Sequence, residues 1–226
     1  MTIANNIHKI QQTIESTEVS CHRARGSVQL LAISKGHTSD AIQQAFDAGQ
    51  RHFGESYWQE AQAKIEQLSS LPLCWHFIGP IQSNKTIGIA QHFTWVHSVC
   101  RPKIAHLLND ARPNNLEPLN VCIQVNFDEE DNKSGAKPDS VTEIATLLSQ
   151  LPHLKLRGLM CIPKQEPNDQ QQYRSFMRLT TLLHTLNSQL NLTMDTLSMG
   201  MSNDLHAAID AGSTMVRVGR GIFGKR

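Results

Sequence analysis

Lys35 ends the run Val28-Gln-Leu-Leu-Ala-Ile-Ser34, the most apolar short strand in the first part of the chain. A lysine aimed from a dry strand end into a cavity loses solvation and can become a Schiff-base nucleophile. The same side chain could instead hold a hydrated ammonium on a snorkelling stem, and position alone favours that second reading. Far along the chain, Ser198-Met-Gly-Met-Ser202-Asn-Asp204 joins a strand to a helix. Ser202 can cap that helix, and the open N–H groups of a first turn attract anions. Val216-Arg217-Val218-Gly219-Arg220-Gly221 adds a second glycine turn, with Arg220 available as a cationic clamp. Ordinary turn chemistry explains either turn by itself, but their coincidence favours a bound phosphate. Arg217 alternates with apolar residues and therefore needs a buried partner, a carboxylate or a ligand's ring nitrogen.

Other chemistries find less support. The eleven histidines give no metal signature. His76, His92 and His97 are too widely spaced, no H-E-x-x-H occurs, and the histidines are assigned mostly to packing and surface, with no metal expected. Gly79-Pro80 to Lys85 lacks the full nucleotide P-loop pattern, and Ser202 has no G-x-S-x-G elbow.

The elements that must position these residues alternate in type. Ile3, Ile7, Ile10 and Ile14 give an amphipathic leading helix over 3–25. Strands are expected at 28–34, 51–53, 74–78, 95–98, 120–126, 154–160, 196–199 and 214–218. Helices fall between them at 41–48, to about 68, 83–91, 102–111, from Pro138, about 169–190 and 203–211. Ser39-Asp40 reads as the cap of the helix 41–48. Eight strands alternating with helices argue for parallel βαβ units closed into a (β/α)8 TIM-type barrel with an extra N-terminal helix. Ala45-Phe-Asp-Ala-Gly49 and Ala208-Ile-Asp-Ala-Gly212 echo one another as helix ends before strands. No linker divides the chain, so residues 1–226 read as one domain, 1–25 the leading helix and 28–226 the barrel. Function then belongs on the loops after the strands: Lys35, Gly54-Glu55-Ser56, Gly79–Lys85, Ser98, Asn126–Lys133, Cys161, Gly200–Asn203 and Gly219–Gly221.

Composition limits the partners. A formal net charge of +1 makes no electrostatic case for nucleic acid or a membrane surface. Hydrophobic residues at 39% suffice for one core, and no run approaches membrane-spanning length. The start carries no apolar leader, and of the five scattered cysteines four sit in apolar strand-like contexts and read as buried reduced thiols rather than disulfides or zinc ligands, which together point to the cytoplasm.

Taken in order, the motifs resemble one family. They are Leu30-Leu-Ala-Ile-Ser-Lys35, Phe53-Gly-Glu55, His76-Phe-Ile-Gly-Pro-Ile-Gln-Ser-Asn-Lys85, Gln124-Val-Asn126 with Lys133-Ser-Gly135, Arg157-Gly-Leu-Met160, Ser198 to Asp204, and Val216 to Gly224. This ordered set is similar to the YggS/PROSC pyridoxal-phosphate homeostasis family from about residue 28 onward. The resemblance implies a fold like the N-terminal barrel of alanine racemase, with pyridoxal 5′-phosphate held as an internal aldimine on Lys35. It further implies that Met201, Ser202, Gly219 and Arg220 hold the phosphate and that Arg217 faces the pyridine nitrogen. Two positions depart from the family pattern. Ser56 stands where Asn is common, which puts a hydrogen bond from that position to the cofactor in doubt. Arg220 stands where Thr is common, which strengthens the anion site.

Carrier and enzyme readings separate on chemistry. A guanidinium opposite the ring nitrogen leaves that nitrogen unprotonated and the ring a weaker electron sink. Racemisation also needs a second acid/base across from the lysine. The only tyrosines are Tyr57, just past a loop, and Tyr173, in a long helix. The expectation is a monomeric carrier with no catalytic residue, which buffers the cofactor or delivers it to apo pyridoxal-phosphate enzymes. A racemase-like enzyme is the alternative.

Overall fold

A computed structural model describes residues 2–128 and 134–224; Lys133 and most of the polar loop expected after the fifth strand lie outside the described residues. Eight parallel strands close into a barrel in sequence order, β1 (Gln29–Ile33), β2 (His52–Glu55), β3 (Cys74–Phe77), β4 (Trp95–Val99), β5 (Leu119–Val125), β6 (Leu154–Cys161), β7 (Thr196–Ser198) and β8 (Met215–Val218). Closure is the β1–β8 pairing, which sets Leu31 opposite Arg217 and Ala32 opposite Val218. The helices wrap outside: α1 (Ile3–Ser20), α2 (Ser39–Asp47), α3 (Trp58–Gln67), α4 (Thr86–His92), α5 (Pro102–Ala111), α6 (Pro138–Ser149), α7 (Asp169–Leu190), α8 (Leu205–Asp210) and α9 (Arg220–Phe223). This is the TIM-type barrel with a leading helix that the alternating pattern requires.

Period-two alternation sorts each strand into two layers. Leu30 and Ala32 join the large core between sheet and helices, while Leu31 and Ile33 pack with Met215 and Ile78 inside the barrel. Trp95, Cys122, Met160 and Cys74 form a second interior cluster nearer the strand beginnings. One step past Ile33, Ser34 turns outward to Glu55, and the turn that holds Lys35 follows. The entry to β1 is fixed from α1, where buried Glu18 accepts from Gly26 N, Ser27 Oγ and Val28 N.

The boundaries correct several readings. The leading helix ends at Ser20, because His22 takes a left-handed φ of 56° that breaks the helix before 25. Thr38, rather than Ser39-Asp40, caps α2 by accepting from Ala41 N. Ser202 does not cap a helix: α8 starts at Leu205 with Asp204 as its N-cap residue. The expected helix at 83–91 opens with a 3-10 turn at Ser83–Lys85, and α9 was absent from the sequence reading. Gly49 and Gly212 do share positive φ values, 94° and 99°, at equivalent helix ends. All five cysteines are free thiols, with Cys122 and Cys161 buried and the other three half-buried.

Candidate functional site

Lys35 stands half-buried in the turn that follows β1. That turn is anchored on both sides of it by one cluster. Lys64, on α3, is almost fully buried and donates from Nζ to Ser34 O (2.8 Å), Glu55 Oε1 (2.7 Å) and Glu60 Oε1 (2.6 Å). Ser34 Oγ donates to Glu55 Oε1 at 2.6 Å, and Gly36 N donates to Glu60 Oε1 at 2.5 Å. Burial pushes the Glu55 carboxyl above its usual range, opposed by the hydrogen bonds from Lys64 and Ser34. Its second oxygen, Oε2, is buried with no hydrogen-bond partner. The sequence reading missed this cluster. A signal was present, since Lys64 lies on the helix stripe of Ala61 and Leu68, both buried, with Glu60 one turn before it.

The two glycine turns meet beside the end of β1. A Cβ placed on Gly221 would lie 3.0 Å from Val218 Cγ1, 3.3 Å from Ile10 Cδ1 and 3.4 Å from Ser202 Oγ, so the lack of a side chain there lets the Ser202 loop approach this turn closely. A Cβ on Gly219 would lie 3.3 Å from Ile33 O, which puts this turn against the end of β1 across the β1–β8 seam, Ile33 being two residues before Lys35 in the chain. Gly219 is also the N-cap of α9, whose first N–H groups have no partner within the helix. Arg220 is exposed at this rim. In the other turn Gly200 has a φ of 93°, and Arg217 N donates to Gly200 O at 3.0 Å, stitching the loop to β8. Met201 N donates to Asp204 Oδ1 at 2.5 Å, so in this conformation a carboxylate holds that donor. Burial raises the Asp204 carboxyl, against the Met201 hydrogen bond and the charge of Arg217.

Arg217 points into the barrel and is 5% exposed. Its Nη1 donates to Ser198 O (2.6 Å) and Ser198 Oγ (3.0 Å), and its Nη2 donates to Cys161 O (2.9 Å). The buried partner required by the sequence is therefore a set of neutral oxygens, and burial lowers the guanidinium's pKa. His97 Nδ1 lies 2.8 Å from the same Ser198 Oγ. Burial, then the charge of Arg217, hold His97 down to about 3, so it is a neutral imidazole. Ser56 is buried after β2, its carbonyl pressed against Gly79, where a Cβ would come within 2.0 Å of it.

The fold thus gathers Lys35, Ser202, Gly219, Arg220 and Arg217 at the C-terminal end of the barrel, with Met201 and Ser56 on flanking loops. Tyr57 is 61% exposed at the N-cap of α3, and Tyr173 packs on the outer core from α7. A lysine after β1, a hydroxyl and a glycine turn after β7 and β8, and a buried guanidinium on β8 are groups that suit a ligand carrying an aldehyde and a phosphate.

Comparison with known proteins agrees with this chemistry. Residues 2–226 match the family model described as alanine racemase, N-terminal domain. The pyridoxal phosphate homeostasis protein of Pseudomonas aeruginosa is 51% identical over 225 residues, covering 100% of this chain and 96% of that protein. That of Escherichia coli K12 is 45% identical over 227 residues, covering 99% and 97%. PipY of Synechococcus elongatus, solved with pyridoxal phosphate bound, superposes with a TM-score of 0.86 at 35% identity over 99% of this chain and 100% of that one. Alanine racemase of Corynebacterium glutamicum, at 18% identity and a TM-score of 0.71, shares the fold over 60% of its own length. The chain belongs to the YggS/PROSC family of pyridoxal phosphate homeostasis proteins, built on the alanine racemase N-terminal barrel.

Proposed function

We propose that this protein binds pyridoxal 5′-phosphate at the C-terminal mouth of the barrel and holds it covalently through Lys35. The observation that carries the reading is the meeting of the Ser202 and Gly219–Gly221 turns beside the end of β1, the strand that Lys35 follows. When bound, the cofactor supplies an aldehyde carbon to which an amine adds with loss of water. Lys35 provides that amine, and Lys64, Glu55 and Glu60 hold its turn in place. Ser202 Oγ, the first N–H groups of α9 and Arg220 receive the phosphate. Met201 N joins them once Asp204 releases it. Arg217 would face the ring nitrogen and, as a donor that keeps its own proton, would leave that nitrogen unprotonated. Ser56, which follows β2 beside the end of β1, is assigned to the cofactor's surroundings on the same reading.

Holding and releasing the cofactor, rather than turning over an amino acid, is the role these residues support. Tyr57 is swung into solvent and Tyr173 is on the outer layer, so neither offers the second acid/base of a racemase. On this reading the protein is a monomer that buffers the cofactor in the cytoplasm and supplies apo pyridoxal-phosphate enzymes. Among the described residues no helix is long and apolar enough to cross a membrane. The test is visible absorbance of the protein mixed with pyridoxal phosphate, beside that of Lys35→Ala. A cofactor band shifted in the wild type and absent in the variant is expected; identical spectra overturn the reading. Deuterium exchange at the α-carbon of a panel of amino acids tests the carrier role, and rapid exchange would favour the racemase alternative.

A further inference from the structure

At the opposite end of the barrel the fold assembles three metal-ligating groups that the sequence reading left apart. Parallel pairing of β2 with β3 sets His52 directly against Cys74, and Cys74 and His76, two apart, share the inner face of β3. One atom from each lies within 4.8 Å of the others. His76 Nε2 is 2.9 Å from His52 Nδ1 and 3.4 Å from Cys74 Sγ. We propose that His52, Cys74 and His76 form a Zn2+ site in the floor of the barrel, distinct from the Lys35 mouth.

Tetrahedral zinc, with bonds of about 2.0–2.1 Å to nitrogen and about 2.3 Å to sulfur, needs N···N near 3.3 Å and N···S near 3.6 Å. The two separations to His76 Nε2 fall short of these by a few tenths of an ångström, and that between His52 and Cys74 lies within 4.8 Å, so side-chain rotations bring the three to zinc distance. An outer shell is already in place. His76 Nδ1 lies 2.9 Å from His97 Nε2, and His97 Nδ1 lies 2.8 Å from Ser198 Oγ. The Trp95 ring stacks on His76 with an interplanar angle of 10°. Such partners orient a ligating imidazole and fix its tautomer. Plain packing explains a row of hydrogen-bonded histidines, but it does not require a thiol converging on the same point.

The site also has an entrance and an open position. His52 and Cys74 are half-buried, so two of the three ligands reach the surface at the strand beginnings. Three protein ligands leave the fourth corner to water. On binding, the Cys74 thiol proton passes to solvent, and His52 and His76 turn their lone pairs on Nδ1 and Nε2 to the ion. His76 must then carry its proton on Nδ1 and donate to His97, and His97 in turn donates to Ser198. Zinc thereby fixes the direction of a hydrogen-bond chain that ends on the oxygen shared with Arg217.

The experiment uses the full chain stripped with a chelator, then titrated with Zn2+ in competition with a chromophoric chelator, and separately with Co2+. One equivalent is expected, with a thiolate-to-cobalt charge-transfer band. Cys74→Ser and His52→Ala, both at half-buried positions, should lose more than the roughly 10–100-fold in affinity that removal of an outer-shell partner costs. Lys35→Ala should bind zinc like the wild type. Failure to bind one equivalent, or affinities unchanged in Cys74→Ser and His52→Ala, overturns the site.

Discussion

Replacing Lys64 by methionine should destabilise the protein strongly at neutral pH and much less in acid. Among the described residues Lys64 is the charged donor to Glu55, whose carboxylate is fully buried and already has one oxygen without a partner. Removing one member of a buried ion pair typically costs about 3–5 kcal/mol, because the other charge is left uncompensated. Glu60 is 30% exposed and can rehydrate, so the deficit belongs chiefly to Glu55. With a urea slope near the upper end of the usual range, about 2–3 kcal/mol/M, the unfolding midpoint should fall by roughly 1–2 M. The pH dependence follows from the direction of the Glu55 shift. Burial raises that carboxyl while Lys64 holds it down, so loss of Lys64 raises it further. An acid with a raised folded-state pKa costs no stability while protonated in both states, and its penalty grows as pH rises through the unfolded value toward the folded one. The deficit of Lys64→Met should therefore be largest near about pH 8 and shrink toward about pH 5. Urea unfolding followed by circular dichroism at both pH values measures it, and adding Glu55→Gln should restore most of the loss. A deficit below about 1 kcal/mol, or one of equal size at both pH values, would refute the reasoning.

The phosphate end yields two further expectations. Gly221→Val should push methyl groups toward Ser202 Oγ, and Arg220→Ala should remove a charged donor worth roughly 1.5–3 kcal/mol. Each should weaken pyridoxal phosphate at least about tenfold, leaving pyridoxal little changed, by equilibrium titration; equal loss for both ligands would place the phosphate elsewhere. Asp204→Asn keeps an acceptor for Met201 N but removes a negative charge from the anion site. Affinity for pyridoxal phosphate should rise severalfold, and a fall would mean that Asp204 supports the site.

Much of the barrel was legible because its signals are local. Pro102 and Pro138 open α5 and α6 as proline at a first helical turn should, and β5 declares itself through Val121, Ile123 and Val125. Lys35, Ser202 and the Gly219–Gly221 turn were legible as loop residues after β1, β7 and β8, where a barrel keeps its chemistry. What escaped depends on strand register and long side chains. Lys64 reaches Ser34 across 30 residues, and His97 meets Ser198 across 101. No spacing rule anticipates either. Arg217 was recognised as needing a partner, but the partners proved to be the Ser198 and Cys161 carbonyls and the Ser198 hydroxyl, which no sequence pattern marks. Cys74 and His76 were two residues apart in plain view. Only the pairing of β2 with β3 brought His52 to them.

The account stands most directly on the covalent link at Lys35. Pyridoxal phosphate added to the purified protein, reduced with borohydride, digested and analysed by mass spectrometry, reports which amine carries the cofactor. The cofactor mass should appear on a peptide containing Lys35 and vanish in Lys35→Ala. Its appearance on Lys64 or another lysine, or no adduct on the wild-type protein, would contradict the assignment.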